Sequence, residues 1–90
     1  MDTYFVDYDL KKKLEHDYTK LYAALKSFGA VRLLESSWAL KRNGTSCRMI
    51  YDHLKPFTHR DDALSVSKVE DWVMINTLAM PTDIRGIETK

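Results

Sequence analysis

Ninety residues, 44% hydrophobic and 30% charged, suit one folded domain and exclude two domains or a largely disordered chain. Fourteen Lys and Arg against 13 Asp and Glu leave a formal net charge of +1. The overall balance therefore gives no argument for nucleic acid or an anionic membrane, and any such contact needs a local basic patch. A single cysteine, Cys47, excludes an intrachain disulfide and a cysteine-based zinc site, and fits a reducing, cytoplasmic setting. No apolar run is long enough to cross a membrane, and the N-terminus lacks the basic-then-apolar order of a secretory signal.

Thr3 to Leu10 is aromatic and β-branched with period two, which predicts a strand. Tyr4, Val6, Tyr8 and Leu10 share one face; Phe5, Asp7 and Asp9 share the other. Lys11 to Phe28 has the spacing of an amphipathic helix, with Leu14, Tyr18, Leu21, Tyr22, Leu25 and Phe28 inward. Gly29 stands where a helix C-cap glycine belongs. Val31 to Lys41 is strand-like, but its apolar parity changes around Glu35-Ser36-Ser37, which predicts two short strands with a bend, a bulge or a tight turn between them. Arg42-Asn43-Gly44 closes that segment as a turn.

Thr45 or Ser46 caps a second helix running to about Lys55, with Cys47, Ile50, Leu54 and Phe57 inward and Pro56 near its end. Cys47 on this apolar stripe reads as packing rather than as a nucleophile. Thr58 to Asp62 is a charged loop, and Ala63 to Val69 a strand. Glu70 to about Thr77 is expected as a short helix anchored by Trp72. The domain spans residues 1–80, and residues 81–90 form a polar, flexible tail. Strand, helix, strand pair, helix, strand with right-handed crossovers is the α+β, ferredoxin-like βαββαβ arrangement. Two helices then cover one face of a four-stranded sheet, and the first strand is central. A chain this short often gains stability as a homodimer.

Aspartate is poorly suited to a strand interior. Asp7 and Asp9 sit two residues apart on one face, roughly 6.6 Å along the strand. Their carboxylates can lean toward one point, and paired hard oxygen ligands of this kind suit Mg²⁺ or Mn²⁺. Such an ion polarises a phosphodiester and acidifies a bound water. The alternatives are that both aspartates are solvated at an early strand end, or that Asp9 is a helix N-cap.

A short opening strand ending in Tyr8-Asp9-Leu10, a helix ending at Phe28-Gly29 and the strand pair around Ser36-Ser37-Trp38 stand in the same order as in a known family. With a second helix and the strand near Asp62 to Val66, the chain resembles the small CRISPR-associated Cas-two family over about residues 3–78. Its opening strand also resembles that of virulence-associated protein D, a small ribonuclease toxin. The Cas-two resemblance implies a homodimer with facing sheets and a metal ion held between two Asp9 carboxylates. It implies metal-dependent cleavage of RNA or DNA, or a non-catalytic adaptor role beside a CRISPR integrase subunit. The chain departs from the family at Asp7, where the family has an apolar or neutral residue.

Lys11, Lys12 and Lys13 form the densest basic run. Beside Asp9 they either hold a phosphate backbone or form a solvated first helical turn. Lys41, Arg42 and Arg48 bracket the Asn43-Gly44 turn and offer a second phosphate contact, or a solvated turn. His16, His53 and His59 have no metal-ligand spacing. Ser36, Ser37 and Ser46 show no nucleophile signature, and three scattered glycines build no phosphate loop. Trp38 and Trp72 are expected as core or dimer anchors rather than base-stacking platforms.

Overall fold

Period-two alternation makes Asp2–Asp9 the strand β1 in a computed structural model that describes residues 1–12 and 17–79. Tyr4, Val6 and Tyr8 are buried on one side; Phe5 and Asp7 are half-buried and Asp9 is exposed on the other. The remaining elements are α1 (Thr19–Ser27), β2 (Val31–Leu34), β3 (Ser37–Arg42), α2 (Cys47–Leu54) and β4 (Ala63–Val69). The sheet order is β2-β3-β1-β4 with every neighbouring pair antiparallel. Four antiparallel strands and two helices in this order are compatible with the ferredoxin-like arrangement. Both helices face the inner side of the sheet, where Leu21 and Leu25 of α1 and Ile50 and Leu54 of α2 share a core with Tyr4, Val6, Trp38 and Leu40.

Helix α1 begins eight residues later than its apolar spacing predicts. Leu10, Lys11, Lys12, Asp17 and Tyr18 are not helical, and Lys13, Leu14 and His16 lie outside the described residues. Two causes are local. Successive lysines are repelled by the positive end of a helix dipole. Asp17 instead provides a start, its carboxylate accepting the Thr19 N–H at 2.9 Å. The third cause is remote: Asp62 takes the Lys11 N–H at 2.7 Å and the Tyr18 hydroxyl at 2.7 Å. Asp9 is therefore no helix cap.

The other ends follow the local chemistry. Gly29 takes φ +77, and the N–H groups of Gly29 and Ala30 return to the carbonyls of Lys26 and Leu25 in a Schellman closure. The bend between β2 and β3 is a two-residue turn at Glu35 and Ser36. One extra residue between the Arg32–Trp38 and Leu34–Ser37 pairs makes a bulge, which accounts for the change of apolar parity. Ser46 caps α2, accepting the Met49 N–H at 3.1 Å. Pro56 lies in the 3-10 turn Lys55–Phe57 that follows α2, near the start of a helical turn where its missing N–H costs little. Cys47 packs half-buried against the core.

The expected helix over Glu70–Thr77 does not form. The chain leaves β4 and crosses the outer face of the sheet as an irregular strap. Trp72 meets Phe5 with ring centroids 6.1 Å apart. Met74 packs against Leu33 and Ala39. The Leu78 N–H donates to the Leu33 carbonyl at 2.7 Å, on the opposite sheet edge. Side chains alternate: Trp72 and Met74 lie partly buried, while Val73 and Ile75 are 98% and 83% exposed. That is an extended period, not a helical one. Trp72 thus anchors the strap rather than the main core. Trp72→Ala is expected to cost about 1–2 kcal/mol in urea unfolding. It should also speed hydrogen exchange at the Leu78 amide well beyond the change at β1 amides; equal changes at both would mean that the strap has no separate anchor. Among the described residues no helix is long and apolar enough to cross a membrane.

Candidate functional site

The register places small residues around the two aspartates. Asp7 lies opposite Ser37 of β3 on one side and Ser65 of β4 on the other, and Asp9 lies opposite Ala63. The Ser37 hydroxyl donates to Asp7, which holds that carboxylate down on the sheet. Asp9 projects from the strand end, and its carboxylate meets the Lys11 ammonium at 2.6 Å. The hydrogen bond and the charge of Asp9 hold the Lys11 pKa above its ordinary value. Both groups are more than half exposed, so the pair is readily exchanged for another ion.

Donor chemistry decides whether a divalent cation fits. Asp7 and Asp9 offer carboxylate oxygens, and Ser37 and Ser65 offer hydroxyls at neighbouring register positions. These are hard donors, and Mg²⁺ characteristically binds through one or two carboxylates while keeping several waters. Among the described residues no three His, Cys, Asp or Glu side chains converge on one point. A cation at Asp9 would have to displace the Lys11 ammonium.

Of the described residues among the candidate cations, only Lys11 is brought to the aspartates. Lys12 has its ammonium 3.9 Å from Asp61, and its backbone N–H donates to the Tyr18 hydroxyl. Lys13 lies outside the described residues. Lys41 is half-buried in β3 opposite Thr3, and Arg42 lies opposite Asp2. The Asp2 end of β1 is about 24 Å of strand from Asp9. Arg42 rests over the Phe28 ring at 5.2 Å. Arg48 pairs with Asp52 at 3.2 Å and lies over the Tyr51 ring at 5.6 Å. Lys41 and Arg42 are therefore remote from Asp9 and do not share a site with it, while Arg48 is engaged with Asp52 and Tyr51. His53 packs between the Phe28 and Phe57 rings, and His59 lies 3.6 Å from Asp61.

Asp62 is the residue that sequence reasoning missed. It accepts the backbone N–H groups of Lys11 and His59, each at 2.7 Å, and the Tyr18 hydroxyl. Burial pushes its carboxyl up, but these hydrogen bonds outweigh burial and hold its pKa below the ordinary value. Burial and the same Asp62 contact raise the Tyr18 phenol, which keeps its proton and donates it. The local signal was slight, an Asp three residues after His59 in a turn. The other partners lie 51 and 44 residues away. No protein-family model matches this chain, and no curated protein or solved structure does so either.

Proposed function

We propose that the protein is a Cas-two-like, metal-dependent nuclease that cleaves phosphodiester bonds of RNA or DNA at Asp9. The carrying observation is the position of Asp7 and Asp9 on the outer face of β1, with the small residues Ser37, Ser65 and Ala63 as their register partners. Small neighbours leave room for a phosphate. Asp9, assisted by Asp7, would hold the Mg²⁺ or Mn²⁺ ion, which when bound polarises the phosphodiester and acidifies a water. Ser37 orients Asp7 through its hydrogen bond. Lys11, on release from Asp9, pairs with the phosphate, and Lys12 and Lys13 follow it along the backbone. Contacts of this kind are sequence-independent and weaken with salt.

The proposed assembly is a homodimer with facing sheets, in which the strap and its outward Val73 and Ile75 meet the partner. Sedimentation at micromolar concentration should give twice the 10.5 kDa monomer mass. Paired Val73→Glu and Ile75→Glu substitutions should return it to monomer, whereas a monomeric wild-type protein would remove the assembly.

A second reading is favoured by the Lys11–Asp9 ion pair, which occupies the carboxylate that cleavage needs. It is a catalytically silent adaptor that binds nucleic acid or a CRISPR integrase subunit. Cleavage assays with and without Mg²⁺, on single- and double-stranded RNA and DNA, separate the two. Cleavage of RNA alone would favour a ribonuclease toxin like virulence-associated protein D. No Mg²⁺-dependent cleavage of any substrate would leave the adaptor.

A further inference from the structure

An open cleft of about 580 Å³ lies between the end of α2, the loop before β4 and the inner side of β4. Tyr51, Lys55, Thr58, Arg60 and Leu64 line it, together with the carboxylates of Asp52 and Asp62. The charges in this lining are not equivalent. Asp52 is engaged by the Arg48 guanidinium, with contacts at 3.2 and 3.3 Å. Asp62 is engaged by two backbone N–H groups and the Tyr18 hydroxyl. Lys55 and Arg60, by contrast, meet no carboxylate among the described residues. The Lys55 ammonium is steadied by the Tyr51 ring, 5.7 Å from its centroid, a contact that leaves its protons available. Asp62 is thus committed to the protein itself and Asp52 is paired at the surface with Arg48, while Lys55 and Arg60 are open to a ligand.

We infer that the Lys55–Arg60 cleft is an anion site for the phosphate of a nucleotide or nucleic-acid strand. A guanidinium fork beside an ammonium suits tetrahedral phosphate oxygens. The cleft is also placed for a strand. Asp62 in its wall immediately precedes Ala63, the register partner of Asp9, so cleft and Asp9 lie at the same end of β4 on opposite faces of the sheet. A single strand bound in the cleft can pass around the β4 edge towards Asp9. The inference goes beyond the nuclease reading and survives its failure, because its readout is binding.

The test is titration of the full chain, followed by backbone amide NMR at low salt, with four probes: inorganic phosphate, adenosine 5′-monophosphate, single-stranded octathymidylate and hexaglutamate. Saturable shifts are expected at the amides of Lys55 and Thr58 to Asp62 with the phosphate-bearing probes. Equal affinity for inorganic phosphate and the oligonucleotide assigns a free phosphate ligand; tighter oligonucleotide binding assigns a nucleic-acid backbone. Paired Lys55→Gln and Arg60→Gln substitutions should weaken binding by about tenfold or more. Lys20→Gln on α1 should leave it unchanged. Lys55, Arg60 and Lys20 are all exposed, so the variants should keep the dispersed spectrum of the fold. The inference is overturned by an absence of saturable shifts at the loop amides, by equal affinity in the doubly substituted protein, or by tighter binding of hexaglutamate.

Discussion

On the proposed nuclease reading, Asp9→Asn is expected to lower Mg²⁺-dependent cleavage by at least about 100-fold, because it would remove the carboxylate proposed to hold the ion. The fold should not change. Asp9 is an exposed strand-end residue whose partner is an exposed ammonium, and such pairs add little to stability. Mg²⁺ should raise the melting temperature of the wild-type protein by mass action and leave that of Asp9→Asn where it is. Asp7→Asn should lose less activity, since the Ser37 hydroxyl already commits one Asp7 oxygen. Lys11→Gln separates two roles of one side chain. It frees Asp9, so the Mg²⁺-dependent stabilisation should appear at lower metal concentration, while affinity for single-stranded nucleic acid falls. Full cleavage by Asp9→Asn would end the catalytic assignment, and an unaltered Mg²⁺ response would end the metal assignment.

Asp62→Ala is expected to destabilise the protein by about 3 kcal/mol. Three chain segments converge on this carboxylate: the exit of β1 at Lys11, the approach to α1 at Tyr18 and the loop before β4 at His59. Removing it leaves two backbone donors and a buried phenol to find other partners. For a chain of 90 residues that corresponds to a fall of about 12–24 °C in melting temperature. The pH dependence has a definite sign. The folded-state pKa of Asp62 lies below the unfolded value, which for Asp is about 3.9. Its contribution is therefore complete above that value and is lost as pH falls through the lower folded-state pKa. Urea unfolding of both proteins should show a constant gap at neutral pH that narrows on acidification. A gap independent of pH down to acid unfolding would mean that the carboxylate's charge plays no part.

Basic residues at the two ends of β1 bear on how a strand of nucleic acid could run. Lys41 and Arg42 sit at the Asp2 end, where Arg42 is held over Phe28. Lys55 and Arg60 sit at the Asp9 end, with Lys11 nearby in sequence and joined to Asp62 through its backbone. The cations that can serve Asp9 therefore come from the β4 side and from the chain leaving β1. Lys41 and Arg42 beside the Asn43-Gly44 turn are too distant to contribute.

Period, capping and turn chemistry act over a few residues, and wherever they decided the outcome the sequence was enough. The alternation in β1 separated a buried Tyr4-Val6-Tyr8 face from a face bearing Asp7 and Asp9. Ser46 started α2, Gly29 closed α1, and the parity change at Glu35 to Ser37 marked the turn between β2 and β3. Element order then led to the antiparallel β2-β3-β1-β4 sheet. Where the deciding partner lay far along the chain, the sequence was silent or misleading. Helix α1 starts at Thr19, and Lys11, where the apolar spacing placed its start, turns its backbone N–H instead to Asp62, 51 residues beyond it. The segment after β4 became a strap because Phe5, Leu33 and Ala39 presented an apolar surface on the sheet's outer face, which only the assembled sheet creates. The open charge of Lys55 and Arg60 was likewise hidden in a chain of near-zero net charge. Which carboxylates are spent and which cations remain is settled by contacts between residues, and composition contains no record of them.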